Sequence, residues 1–245
     1  MQYEIKEEHN IRYLYSNDKA IQSAIDLKNP ERIVLRNLEY LMGCLMFIPE
    51  PKNILMLGVG AGSLVHFFKH FCPDSNITGI DLDAELINEM HQVFLLPQAG
   101  ANLQYHIADA QNWLQQHNET YDLIIVDIFN EHCMPDWVLQ KPFMQHLKTS
   151  LSDNGCVAWN TLIESEHDFT SFYSNLRLIF NQNTLCLDVE DYANTLAYSF
   201  NFKHENPDLG LLMQNAQHKT AKYGLHFHQI LSTILNTNPV NAGFI

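Results

Sequence analysis

The 245 residues carry 28 acidic against 14 basic side chains, a formal net charge of −14, which repels phosphate backbones and suits cationic partners or substrates. Nucleic acid is not an expected ligand. A chain of this length buries roughly three quarters of its unfolded surface, enough for one large domain with a small attachment and no need of disulfides. The cysteines (Cys44, Cys72, Cys133, Cys156, Cys186) are odd in number, scattered and never spaced as Cys-x-x-Cys. That usage points to reduced thiols in the cytoplasm rather than to a disulfide framework or a zinc site. The first eight residues are charged and lack an apolar signal core, so no export is expected. The longest apolar stretch, residues 38–48, contains Glu39 and is too short to span a bilayer, and no membrane association is expected.

Residues 11–15 and 20–25 alternate as two short strands around the turn formers Ser16, Asn17 and Asp18; with residues 3–5 they predict a small antiparallel segment over 1–28. The remaining 29–245 reads as one α/β domain. From Pro30, a good first helical residue, Val34, Leu35, Leu38, Leu41, Met42, Leu45 and Met46 mark one face of a long amphipathic helix, which ends before Pro49 and Pro51.

The stretch 53–83 organises the chain. An apolar run, 53–57, predicts a buried strand and stops at Gly58-Val59-Gly60-Ala61-Gly62-Ser63. Leu64, Val65, Phe67, Phe68 and Phe71 then predict a helix, and 77–80 a second strand ending on Asp81. Strand, glycine turn, helix, strand and terminal acid form the nucleotide-binding half of a doubly wound sheet. The third glycine comes one residue too early for the dinucleotide fingerprint, so a nucleoside such as S-adenosylmethionine is the expected ligand. Asp81, at the strand tip, has two acceptor oxygens for the ribose hydroxyls.

A helix over 84–94, a loop at 97–100 and a strand at 103–107 follow, with Asp109 directly behind. Asp109 suits an exocyclic amine such as adenine's and also suits capping the next helix, two compatible roles. The strongly apolar run 121–126 predicts a strand ending on Asp127, which faces the reacting part of the ligand or else binds backbone amides. The polar and aromatic loop 128–137, with Asn130, Glu131, His132 and Asp136, is expected to wall the substrate side. Further on, the sequence predicts a helix at 141–150, a turn at Asp153-Asn154-Gly155 and a strand at 156–159. A helix over 169–180 and a hairpin of 184–189 with 195–200 follow, and then patchy helix, clearest at 223–235. His66 with His70, and His226 with His228, are spaced like metal ligands, but each pair lacks an evident third ligand and no metal is expected.

The run 54–63, Gly79-Ile80-Asp81-Leu82-Asp83, Ala108-Asp109-Ala110, the run 121–127, and residues 143–151 with Asn154-Gly155 are together similar to the spermidine synthases and their truncated relatives, over about residues 13–200. The resemblance implies an α/β, Rossmann-like, seven-stranded sheet of the class I methyltransferase type, its last strands forming an antiparallel pair. It further implies that Gly58, Gly60, Gly62, Asp81, Leu82, Asp109 and Ala110 bind the nucleoside donor, that Asp127 is the catalytic acid–base residue, and that the active unit is a homodimer joined through the N-terminal strands.

Three activities follow from the resemblance and its departures. The first is an aminopropyltransferase moving a propylamine group from decarboxylated S-adenosylmethionine to a small cationic amine such as putrescine. The second is a methyltransferase using S-adenosylmethionine itself, and the third a catalytically silent nucleoside-binding homologue. Spermidine synthases carry Gly-Gly-Gly-Asp-Gly-Gly, whose acid holds the propylamine end of the donor, whereas here that place is Ala61. Their Asp-x-x-Asp-Pro loop reads Asp127-Ile128-Phe129-Asn130-Glu131, and their Tyr-Gln/His-Glu signature reads Arg36-Asn37-Leu38-Glu39.

Overall fold

The computed structural model describes residues 3–16, 20–129, 134–163, 165–203 and 208–238. The chain opens with a three-stranded antiparallel sheet of β1 (Glu4–Glu8), β2 (Ile11–Tyr15) and β3 (Ile21–Asp26). His9 and Asn10, both at positive φ, make the tight turn whose twist suits a hairpin. Strand β1 is exposed throughout, while Leu14, Ala24 and Ile25 are buried in the same apolar cluster as the main sheet. Asn17 and Asp18 lie outside the described residues.

The long helix expected from Pro30 does not form. Asp26 accepts hydrogen bonds from the Lys28 and Asn29 amides and from Arg32, so a turn occupies the predicted first helical residues. Helix α1 (Arg36–Leu41) is short and tightens at once into a 3-10 turn, Met42–Met46, buried on every side. Gly43 explains the tight fit, because a Cβ there would overlap the Tyr198 hydroxyl and the Ile230 side chain. A one-sided amphipathic pattern was the wrong template for a segment enclosed all round.

The central sheet follows the order β6-β5-β4-β7-β8-β10-β9. Its parallel part consists of β4 (Asn53–Leu57), β5 (Asn76–Asp81), β6 (Leu103–Ile107), β7 (Tyr121–Val126) and β8 (Leu151–Thr161). Strands β9 (Thr184–Asp188) and β10 (Thr195–Phe200) are antiparallel, with β10 seated between β8 and β9. The connecting helices are α2 (Ser63–Phe71), α3 (Ala84–Val93), α4 (Ala110–Gln116), α5 (Lys141–Thr149) and α6 (Glu166–Ile179). They cover the two faces, and the sheet between them separates two apolar clusters. The expected turn at 153–155 is instead a bulge within β8, since Tyr121 pairs with Leu151 and Leu123 with Cys156, leaving residues 152–155 opposite Asp122. Asp122 holds that bulge through Ser152 Oγ at 2.7 Å.

Two helices close the described chain, α7 (Leu209–Tyr223) and α8 (Phe227–Thr237). The helix expected over 223–235 is α8, which begins at Phe227 rather than at Tyr223. Gly224, at φ +68°, ends α7 in the left-handed conformation that favours glycine. Among the described residues no helix is long and apolar enough to cross a membrane.

Candidate functional site

Strand order reverses at β4, which is flanked by β5 on one side and β7 on the other, so the crevice above their carboxyl ends is where a ligand can enter an open α/β sheet. The glycine turn forms its floor. Gly58 (φ +89°) donates its N–H to the Ile80 carbonyl at 2.9 Å, and a Cβ on it would overlap the Asp127 main-chain oxygen. Asp127 in turn donates its own N–H to Leu57 O at 2.9 Å. The turn and the end of β7 are thus in direct backbone contact. Gly62 (φ +86°) packs under the Leu96 side chain, which leaves no room for a methyl group. Gly60 (φ +53°) has open space where its Cβ would stand.

Asp81 clamps this turn to β5. Its Oδ2 accepts from Val59 N at 3.0 Å and its Oδ1 from Asp83 N at 3.1 Å, leaving each oxygen a further lone pair for a ligand hydroxyl. Leu82 next to it is 64% exposed, and Ile107, opposite Asp81 in the β5–β6 register, is 51% exposed. Two large apolar side chains open to solvent at a strand end offer a surface for a flat, weakly polar ring. Asp109 caps α4, accepting from Asn112 N at 2.8 Å, and Ala110 is buried as the first residue of that helix. The capping role is observed, and Asp109 Oδ2 keeps its acceptor capacity.

Asp127 stands half-buried at the end of β7. Its Oδ1 accepts from Asn160 Nδ2 at 2.7 Å, and Asn160 Oδ1 accepts from Asn194 Nδ2 at 3.0 Å. Burial pushes the Asp127 carboxyl up to about 6; the Asn160 hydrogen bond opposes the rise and the Asp81 charge adds to it. An acid tuned to about 6 is mostly ionised at neutral pH yet close enough to take and release a proton there. Reading the sequence missed Asn160 and Asn194. Asn160 had left one signal, a polar residue ending an apolar strand; Asn194 had left none.

Asn130, Glu131 and His132, expected to wall the substrate side, lie outside the described residues. Asp136 opens a 3-10 turn, Asp136–Leu139, and is exposed, while Trp137 packs edge-on against Phe143 with ring centres 4.9 Å apart. The paired histidines do not converge. His66 shares a hydrogen bond with the Phe94 carbonyl at 3.2 Å, and burial lowers its proton affinity. His70 rests on the Phe71 ring, His226 pairs with Glu39 at 2.7 Å, and His228 is exposed. Among the described residues no group of three or more His, Cys, Asp or Glu side chains could hold a metal ion.

The model for the spermine/spermidine synthase domain matches residues 38–208. The polyamine aminopropyltransferase of Neisseria meningitidis is 27% identical over 239 residues, covering 97% of this chain and 90% of its own length. Solved structures share the fold. A probable spermidine synthase from Corynebacterium glutamicum superposes with a TM-score of 0.75 at 17% identity, over 96% of this chain and 91% of that one. A spermidine synthase in complex with the transition-state analogue AdoDATO superposes with a TM-score of 0.60 at 15% identity, over 94% and 84%. Together with the glycine turn, the three strand-end acids and the terminal antiparallel pair, these matches establish that the chain belongs to the spermine/spermidine synthase family of transferases.

Proposed function

We propose that the protein transfers the aminopropyl group of decarboxylated S-adenosylmethionine to a primary amine of a small polyamine such as putrescine. The carrying observation is Asp127, at the mouth of the crevice beside the glycine turn, held by Asn160 and tuned to about 6. In this reading the ribose lies on Asp81, the adenine beside Leu82, Ile107, Asp109 and Ala110, and the sulfonium above Gly58, Gly60 and Gly62. A sulfonium makes its attached carbons electrophilic, so the protein's main task is to hold a nucleophile in line behind one of them.

The incoming alkylamine is mostly an ammonium ion at neutral pH, by analogy with the lysine value of about 10.4, and without a lone pair it cannot attack. Asp127 draws in the ammonium, orients it and takes the proton. The amine nitrogen then bonds to the aminopropyl carbon as the carbon–sulfur bond breaks, and its electron pair neutralises the sulfonium to a thioether. In this reading Glu131 or Asp136 supplies the negative charge absent at Asn130. A net charge of −14 favours such a cationic substrate, and the buried free thiols of Cys44, Cys72, Cys156 and Cys186 accord with the cytoplasm.

One observation favours a second reading, methyl transfer from S-adenosylmethionine itself. Ala61 is 2% exposed in the glycine turn, where spermidine synthases carry an acid for the donor's amine. Titration calorimetry with each donor, repeated on Ala61→Asp, separates the two. Tighter binding of the decarboxylated donor, with turnover of putrescine, is the expected outcome. Preference for S-adenosylmethionine that reverses in Ala61→Asp would make methyl transfer the function. Binding of neither would leave a silent homologue.

A further inference from the structure

We propose that Asn160, fixed by Asn194, is the residue that positions Asp127 and keeps it ready as a base. What the base does rests on the aminopropyl-transfer reading; how it is held does not. Asn160 is 3% exposed near the end of β8, opposite Leu196 of β10, so its amide is removed from water and must find partners in the protein. It finds two. An ionised carboxylate only accepts, so the Asn160 amide must turn its NH2 toward Asp127, at 2.7 Å. Its carbonyl then faces Asn194, which donates at 3.0 Å from the residue just before β10.

The direction of this chain has a chemical result. An amide can turn end for end with little change of shape, and with its carbonyl toward Asp127 it would favour the protonated acid. Asn194 opposes that turn by donating to the carbonyl end. Asp127 is thereby offered a donor at Oδ1, which stabilises the ionised form. Among the described residues nothing else bonds to this carboxylate; in the aminopropyl-transfer reading its Oδ2 takes the incoming ammonium. The groups facing Asp127 are the Asp81 carboxylate from β5, the main chain of the glycine turn from β4 and Asn160 from β8. Asp81 and burial both favour protonation, and Asn160 is the described group that opposes them.

The test follows the Asp127 carboxyl by carbon-13 NMR of the full chain labelled at aspartate, with its signal assigned by its loss in Asp127→Asn. Asn160→Ala should raise the titration midpoint by about one pH unit or more, as removal of a hydrogen bond to a charged group implies. Asn194→Ala, at a half-buried site outside the strands, should raise it by less and stands in if the first variant does not fold. Asn160→Asp should replace the single midpoint with two separated ones, because adjoining carboxyls titrate as a pair. A folded Asn160→Ala or Asn194→Ala with the wild-type midpoint would overturn the proposal and leave Asn160 as buried filling. The measurement needs no substrate. Shifted midpoints in a protein without aminopropyl turnover would sustain the role of Asn160 and sink the function proposed above; unshifted midpoints with turnover would do the reverse. With turnover present, kcat should fall at low pH in Asn160→Ala while the KM for the donor holds.

Discussion

The two halves of the crevice are built from different materials. On the β4–β5 side the floor is main chain: a glycine turn tied to Ile80 by Gly58 N–H and to the Asp81 carboxylate by Val59 N–H. On the β7–β8 side it is side chain, with an acid held by one amide and that amide held by another. Backbone placed by the sheet cannot be altered one residue at a time without disturbing the fold, whereas a relay of side chains can. The first half is suited to keeping one donor, and the second to adopting different acceptors.

The sharpest break between the halves should come at Asp127. Asp127→Asn should lower kcat by about 10²- to 10⁴-fold, the range for a lost general base, while leaving donor affinity in calorimetry close to wild type. The same substitution should not lower stability near neutral pH. An acid whose proton affinity is raised on folding favours the protonated state, so the native protein gains stability as pH falls through about 6 toward the ordinary value near ~3.9. The amide introduced by Asp127→Asn can accept from Asn160 without a buried charge, so the variant's thermal midpoint should equal or exceed wild type at pH 7 and lack the dependence expected of wild type between pH 7 and 5. For wild type, turnover should rise as pH increases through about 6, because the ionised acid is the active form.

Gly58→Ala should do the opposite, damaging the fold before the chemistry. Its Cβ would overlap a main-chain oxygen that cannot rotate away, and its φ of +89° strains any other residue. A loss of about 3 kcal/mol or more in urea denaturation is expected, against about 1–2 kcal/mol for Gly60→Ala, which has room but the wrong φ. Asp81→Asn keeps one acceptor and loses the other, which should cost about 1–3 kcal/mol of stability by the same assay and weaken the donor in calorimetry. The smallest effect belongs to Asp109. Asp109→Ala should cost about 1 kcal/mol as a lost helix cap, and Asp109→Asn almost nothing, because asparagine caps equally well. If Asp109→Asn nevertheless weakens donor binding, the carboxylate has a ligand role separate from its cap.

Local signals explain how much could be read in advance. The strand at 53–57, the helix after it and the strand ending on Asp81 are each set by neighbouring residues, and the bounds of β4 agree with the expectation. Asp81 and Asp127 reach the same crevice, since β5 and β7 both run parallel to β4 and end on the same side of the sheet. In the segment 30–46 the Asp26 turn removes the start of the expected helix and the buried 3-10 turn of 42–46 its end, and neither shows in the apolar spacing. The bulge at 152–155 carries turn formers; it belongs to a strand through its pairing with β7, and Asp122, some thirty residues earlier, bonds it through Ser152. Asn160 and Asn194 meet only once β10 has taken its register against β8, a fact of tertiary pairing that no window of sequence contains.

The order of strands also bears on synthesis of the chain. Strand β10 lies between β8 and β9, so the last strand to leave the ribosome is not the last in the sheet. Until residue 200 has emerged, the outer edge of β8 has no neighbour, and the buried residues of β9, Thr184 to Leu187, have no strand to join. A nascent chain therefore carries an open sheet edge and an apolar strand together, the pairing most prone to join another molecule. The vulnerable interval ends when β10 inserts, the same event that brings Asn194 to Asn160.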